Sequence, residues 1–527
     1  MATTDPWVPG RLPAADQAPP RTHHQVSPRQ RPDWFAAIDI AAVADAALAA
    51  AEQAGAHHAD VRVTNSDWAR ADVRDGVPTG AADGTDRGIA VRVLVQGRWG
   101  FAASAGTGAD EAAATARRAV AMARAGAALG TRQVELAPEP VHRGSWQSDF
   151  GIDPFDVPAA ERSELLVERS AGLLAAATVQ HSEAFAHIAR ERVAYADLAG
   201  TAVQQERIRV HSAVTAIRVG PDGFVTMRTL APPTARGWEY LLGPAGWDWD
   251  AELAAIPELL AEKAAAPGVE PGERTLVLDP SHLWLTIHES VGHATEFDRA
   301  LGYEANYAGT TFATPDQLDR LQYGSALMHV TGDRFAEHGL ATAAFDDEGV
   351  AAHRWDLVAD GVLRGYQLDR AMAAEFGHAR SNGCAYADSH EHVPIQRMPN
   401  VSLQPGRTPA SLDDLVAGVE DGLLILGDDS WSIDMQRYNF QFTGQRAFRI
   451  RNGRAAGQVK DFAYQSSTPR FWNSLSALGG PATYELGGAM NCGKGQPGQV
   501  AAVSHGCPAA RFDHVRVLNT ALEGGRP

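Results

Sequence analysis

Two histidines bracket a glutamate at His288-Glu289-Ser290-Val291-Gly292-His293. In the common zinc-binding helix the two histidines are four apart, about 40° around the axis, so both imidazoles meet one ion. Here the spacing is five, which sets the side chains roughly 140° apart on a regular helix. A single i→i+5 turn would bring them back to one face, and such bulges concentrate at functional sites. The spacing therefore predicts a widening or kink between His288 and His293, made cheaper by Gly292, which has no Cβ. The alternative is a pair of ordinary helix residues, one buried and one exposed. Glu289 weighs toward chemistry, because an acid beside the first histidine can take a proton from activated water and hand it to a leaving amine. Glu296 and Asp298 follow one turn later. They either accept the second N–H of an imidazole or are solvated surface acids.

A catalytic zinc site needs a third protein ligand and an open position. Cys492 leads the candidates: it lies in the loop-forming stretch Asn491-Cys492-Gly493-Lys494-Gly495, where Lys494 would help hold a thiolate. Its alternative is a buried structural thiol, which is the preferred reading of Cys384 and Cys507. Gly488 to Lys494 nearly spells a phosphate-binding loop, but Gly495 stands where Ser or Thr must hold magnesium. His390-Glu391-His392 would put two imidazoles on one face of a strand. A polar or substrate-facing surface explains them better than a metal.

The elements that must position these groups are readable. Leu276-Val277-Leu278 forms a short strand, Asp279 an N-cap and Pro280 the first residue of the histidine-bearing helix. Upstream, Ile40, Val43, Ala47, Leu48 and Ala51 recur at helical spacing and stop at Gly55. Val91, Val93 and Val95 alternate up to Gln96-Gly97 before Trp99 and Phe101, as in a hairpin. Stretches near 109 to 128 and 160 to 176 read as surface helices, and Ile208 to Ala216 as a long strand. Asp360-Gly361 and Asn452-Gly453 suit two-residue hairpin turns. The run from Ala264 to Arg274 interrupts both periodicities. The expected fold is α+β: an arm at 1–33, a mixed α/β domain at 34–266, and a β-rich, antiparallel, barrel-like domain at 267–527 that carries the metal-binding helix.

At 527 residues the chain exceeds what one core usually holds, and 45% hydrophobic with 21% charged residues is a folded composition. The formal charge of −18 repels phosphate backbones and anionic lipid, so no nucleic-acid or membrane partner is expected. Three cysteines cannot make a secreted-type disulfide framework, which points to the cytosol. No stretch approaches the roughly 18 apolar residues of a membrane span, and the start of the chain has no apolar signal region. Seven prolines in the first 33 residues suggest a tail, or an arm that orders on a partner.

His-Glu-Ser-Val-Gly-His-Ala-Thr-Glu-Phe-Asp at 288–298, Arg397-Met398-Pro399-Asn400, and Cys492-Gly493-Lys494 closely resemble the TldD branch of the TldD/PmbA metallopeptidases, and especially an actinobacterial TldD. The likeness runs from about residue 36 and includes Gly-Ala-x-x-Ala-Asp-Val-Arg at 55–62. It implies a zinc peptidase in which His288, His293 and Cys492 hold Zn2+ and Glu289 is the general base. It also implies a dimer, either with a PmbA/TldE-type subunit that lacks the metal motif or with a second copy. The dimer encloses a chamber in which an extended peptide binds through its backbone against a strand. Substrates of the family range from leader peptides and small unfolded proteins to peptide-like metabolites. Two features depart from the pattern: Gly-Lys-Gly-Gln-Pro-Gly-Gln after Cys492 in place of the usual Gly-Lys-x-Gly-Gln, and the Pro-rich first 33 residues. The competing expectation is a non-catalytic peptide-binding or scaffolding subunit, against which the intact His-Glu pair argues.

Overall fold

A computed structural model describes residues 35–126, 133–220, 223–243 and 246–523; the arm expected at 1–33 lies outside them. Among these residues, the first half of the chain builds a seven-stranded sheet around long strands. Its order is Arg98–Ser104, Val77–Val95, His58–Arg74, His181–Asp197, Ala202–Gly220, Arg143–Gln147, with Gly223–Arg228 also paired to Ala202–Gly220. The helix Ile40–Gln53 starts at Asp39, whose carboxylate accepts the Ala42 N–H at 3.0 Å, and buries Val43, Ala47, Ala50 and Ala51. The expected hairpin turns at Gln96 and Gly97, both with positive φ (52° and 71°). The helix Ala109–Gly126 is less superficial than its composition suggests. Ala112, Ala116, Ala119 and Ala123 form a buried stripe pressed on Gly100, where a Cβ would lie 2.0 Å from the Ala119 carbonyl oxygen. Alanine is abundant there because nothing larger fits.

The second half contains a closed five-stranded barrel. Gly272–Leu278 pairs in parallel with Asp421–Ile433 and antiparallel with Ala510–Asn519. Ala510–Asn519 pairs with Phe462–Ser467, which pairs with Asn439–Arg451, and the last strand returns to Asp421–Ile433 to close the ring. Closure leaves no free edge in the ring. Asp360-Gly361 and Asn452-Gly453 make the expected turns, all four residues having positive φ. The expected strand at His390-Glu391-His392 is instead a turn. The Ser389 hydroxyl accepts the Glu391 N–H at 3.1 Å, and each imidazole has its own carboxylate, Asp86 at 3.0 Å from His390 and Asp388 at 2.6 Å from His392. Local side-chain hydrogen bonds thus win over extension.

The helix Trp249–Ala265 ends where periodicity fails in the sequence, but the core continues across. Ile256 and Leu260 share one apolar cluster with Val277, Leu424 and Phe448 of the barrel. Glu252 also forms a buried 3.1 Å ion pair with Arg446 of the barrel.

Candidate metal centre

The strand Gly272–Leu278 leads into Asp279, which accepts the Ser281 N–H at 2.9 Å, and Pro280 opens an α-helix that runs to Ile287. From His288 to Gly292 the helix widens, and the His293 N–H donates to the His288 carbonyl five residues back. A short tight turn, His293–Thr295, follows. The five-residue spacing is thus accommodated by the turn expected of it. Side chains support the widened segment: Tyr323 Oη donates to the Ser290 carbonyl at 2.5 Å, and Gln367 Nε2 to that of Gly292 at 2.5 Å. Gly292 has a further reason to be glycine, since a Cβ there would stand 2.6 Å from Sδ of the buried Met398. Gly292→Ala is therefore expected to lower stability by about 1–3 kcal/mol, the usual range for overpacking, as read by urea unfolding. An unchanged midpoint would show that Met398 moves aside freely.

The widening brings the two rings to a centroid separation of 4.6 Å, nearly perpendicular at 75°. Cys492 joins them from 199 residues away, its Sγ 3.7 Å from His293 Nε2. One donor atom from each of His288, His293 and Cys492 lies within 4.8 Å of the other two, and all three residues are buried. Cys492 stands on a strand, not in the loop its glycines suggest. Glu485–Lys494 pairs with Gln499–Cys507, and a register shift between Ala489 and Cys492 re-aims the thiol. The role expected of Lys494 is corrected as well. Its amine is 3.2 Å from Glu296 Oε1 and 2.8 Å from both Asp298 Oδ1 and the Gln396 carbonyl, so it serves the acids rather than the sulfur. The cation nearest in effect to the thiol is the buried Arg397, which donates to the Cys492 carbonyl and, at 3.0 Å, to that of Gln499.

The surroundings set protonation. Burial lowers both imidazoles, His293 to about 3 and His288 well below its ordinary value, so both are neutral at pH 7 and have a lone pair to offer. His293 Nδ1 donates to Glu296 Oε2 at 3.0 Å, which leaves Nε2 free on the side of Cys492. Burial acts to raise the Glu296 carboxyl, but Lys494 and Arg299 outweigh it and hold the group well below the usual range. Of the two readings open for Glu296, it is the one that orients an imidazole. Burial pushes the Cys492 thiol up to about 11 despite Arg397, so it must lose a proton to act as a ligand. This donor set, two imidazoles and a thiolate, suits zinc, and three convergent donors leave room for an open position.

Glu289 is also buried, next to His288, and its Oε2 is 2.8 Å from Arg437 Nη1. Burial raises its carboxyl above the ordinary glutamate value, while Arg437 and a hydrogen bond from Trp431 pull the other way. Arg437 has positive φ (59°) in a turn built on Asp434, which accepts the N–H groups of Gln436, Tyr438 and Asn439 at 3.1, 2.8 and 2.9 Å. Sequence reasoning missed Arg437 and His505, because neither lies at a recognisable spacing from the motif; Arg397 was seen only as part of a motif. A cavity of about 480 Å³ lies beyond Trp284, one helical turn before His288, and is lined by none of His288, Glu289, His293 and Cys492 themselves. Trp284, Trp431 and Gly487–Asn491 line it from the metal side, His187 and His211 from the sheet opposite. Among the described residues, Glu485–Lys494 has a strand partner on one edge only.

A barrel strand that leads into a widened His-Glu-x-x-x-His helix, set against a cysteine-bearing strand, makes a site of the kind that could hold a metal ion. Family models described as the PmbA/TldA metallopeptidase C-terminal domain and domain 1 match residues 271–519 and 59–123, respectively. The chain belongs to the TldD/PmbA family. It is 27% identical over 485 residues to a metalloprotease of Methanothermobacter thermautotrophicus, covering 89% of this chain and 95% of that one. It is 23% identical over 273 residues to a zinc metalloprotease TldD homolog of Saccharolobus solfataricus, covering 51% and 57%. The fold matches that of TldE from Thermococcus kodakarensis with a TM-score of 0.66 at 16% identity, over 89% of this chain and 98% of that one. A putative modulator of DNA gyrase from Thermotoga maritima gives 0.70 at 12% identity, over 90% and 99%. Among the described residues, no helix is long and apolar enough to cross a membrane.

Proposed function

We propose that this protein is a zinc-dependent peptidase or amidase that hydrolyses extended, unstructured peptides or peptide-like metabolites. The observation that carries the reading is the convergence of His288, His293 and Cys492 within 4.8 Å beside a buried Glu289. A zinc ion held there supplies Lewis acidity, which makes water nucleophilic near neutral pH and polarises a carbonyl. Glu289 accepts the proton released as the water oxygen bonds to the carbonyl carbon, and returns it to nitrogen as the C–N bond breaks. Arg437 keeps Glu289 ionised between turnovers, opposing the effect of burial. The substrate adds as a strand along Gly487–Asn491, which lines the cavity, so its main chain is read and its side chains matter little. The protein pairs with a TldE-like subunit or a second copy, as its membership of the TldD/PmbA family suggests. The three free, buried thiols suit the cytosol.

Zinc content of the purified full chain and hydrolysis of an unfolded peptide test the reading together. One ion per chain is expected, with activity lost to chelator and restored by zinc. His288→Ala should abolish binding of the ion while the fold persists. Absence of zinc from the wild type, or zinc unchanged in His288→Ala, would overturn this assignment in favour of a non-catalytic peptide-binding subunit.

A further inference from the structure

His288 does not stand free at its second ring nitrogen. Its Nδ1 lies 2.7 Å from Nε2 of His505, whose own Nδ1 is 2.9 Å from the Val401 carbonyl oxygen. The carbonyl can only accept, so His505 Nδ1 bears a proton. His505 is completely buried; among the described residues its ring hydrogen-bonds Val401 and His288, and Trp284 stacks on it, with a ring centroid 6.2 Å away at 13°. Among the described residues no carboxylate contact balances a second proton, and an uncompensated imidazolium would be costly in that environment. His505 is therefore neutral, its Nε2 is an acceptor, and His288 Nδ1 must donate to it. The lone pair of His288 then falls on Nε2.

We infer that His505 is a positioning residue: through the chain His288–His505–Val401 it locks His288 in the tautomer and ring orientation that offers Nε2 to the ion. The inference rests on the metal-centre reading and adds a residue to it. Ligating imidazoles generally need such a partner at the other nitrogen, and losing it weakens metal binding. The two histidines of this site are supported differently. His293 donates to the carboxylate of Glu296, itself held by Arg299 and Lys494, and so receives negative charge. His288 donates to a neutral ring and receives direction without charge. The support is also tied to the third ligand. His505 lies on Gln499–Cys507, the return strand of the hairpin whose outgoing strand carries Cys492, with Cys492 opposite Ala501. One hairpin thus contributes the sulfur and fixes the ring that shares its ion, so the helix and the hairpin keep a common register at the centre.

His505→Phe retains the ring volume and removes the acceptor, whereas His505→Gln restores an amide oxygen for His288 and an amide N–H for Val401. Zinc affinity of the full-length wild type and both variants is measured by competition with a chromophoric chelator. Unfolding of the metal-free forms is followed in parallel. His505→Phe is expected to bind zinc about 10–100-fold more weakly, the usual effect of losing such a partner, and His505→Gln to recover most of that loss. Wild-type affinity in His505→Phe would overturn the inference, and absence of zinc from the wild type would instead overturn the metal-centre reading. Should His505→Phe not fold, 15N spectra of histidine-labelled metal-free wild type decide the matter. Both His288 and His505 are expected with the proton on Nδ1, and a His288 proton on Nε2 would sink the proposal.

Discussion

Glu289→Gln is expected to reduce turnover about 10²–10⁴-fold, the range for loss of a positioned general acid–base, while zinc remains bound. Glutamine preserves the shape and an oxygen for Arg437, which now donates to Oε2 at 2.8 Å. It cannot accept the water proton or return it to nitrogen. The three proposed ligands are untouched, so metal content measured by plasma mass spectrometry should match the wild type, and the effect should appear in kcat rather than in zinc occupancy. The pH profile follows from the same carboxylate. Glu289 must be ionised to act, and burial raises it above the ordinary 4.5. Activity should therefore fall on the acid side as Glu289 takes up a proton, and that limb should vanish in the variant. Turnover within tenfold of wild type, with zinc retained, would remove Glu289 from the mechanism.

The histidine helix was legible because its signals are local. Asp279-Pro280 marks a start by cap chemistry alone, and bringing two residues five apart onto one helix face calls for an i→i+5 widening or a kink. The hairpins at Gln96-Gly97 and Asn452-Gly453 were readable for the same reason, since positive φ favours few residue types. Barrel closure was harder to read. It depends on Asp421–Ile433 pairing in parallel with one strand and antiparallel with another, and neither partner is specified within a short window. The centre shows the same division. Cys492 could be singled out by its neighbours, but Lys494 could not be assigned from its nearness to the thiol. Which acid a buried amine meets is decided by packing across 196 residues, here Asp298. Arg437 and His505 gave no signal because an arginine in a turn and a histidine in a strand are ordinary until the fold brings them to the site.

That packing makes Lys494→Met the substitution with the largest expected cost to stability, about 3–5 kcal/mol, as for removing one partner of a buried ion pair. Methionine matches the length of the lysine stem and stays apolar, so the loss isolates the charge. Lys494 is fully buried and holds Glu296 at 3.2 Å and Asp298 at 2.8 Å. Without it Glu296 still has Arg299 at 3.0 Å and the N–H of His293, but Asp298 loses its principal cation. Burial already holds the Asp298 carboxyl above its ordinary value; in the variant it rises further. A carboxyl raised in the folded state destabilises more as pH climbs from its unfolded value toward its folded one. Glu296, depressed in the wild type, loses part of the stability it contributes above the unfolded value. Both effects have one sign, so the deficit of the variant should be smaller at pH 5 than at pH 8. Urea unfolding at the two pH values measures it, and adding Asp298→Asn should recover part of the loss. A pH-independent deficit, or none, would mean that Lys494 packs as a hydrocarbon and that Glu296 keeps His293 oriented without it.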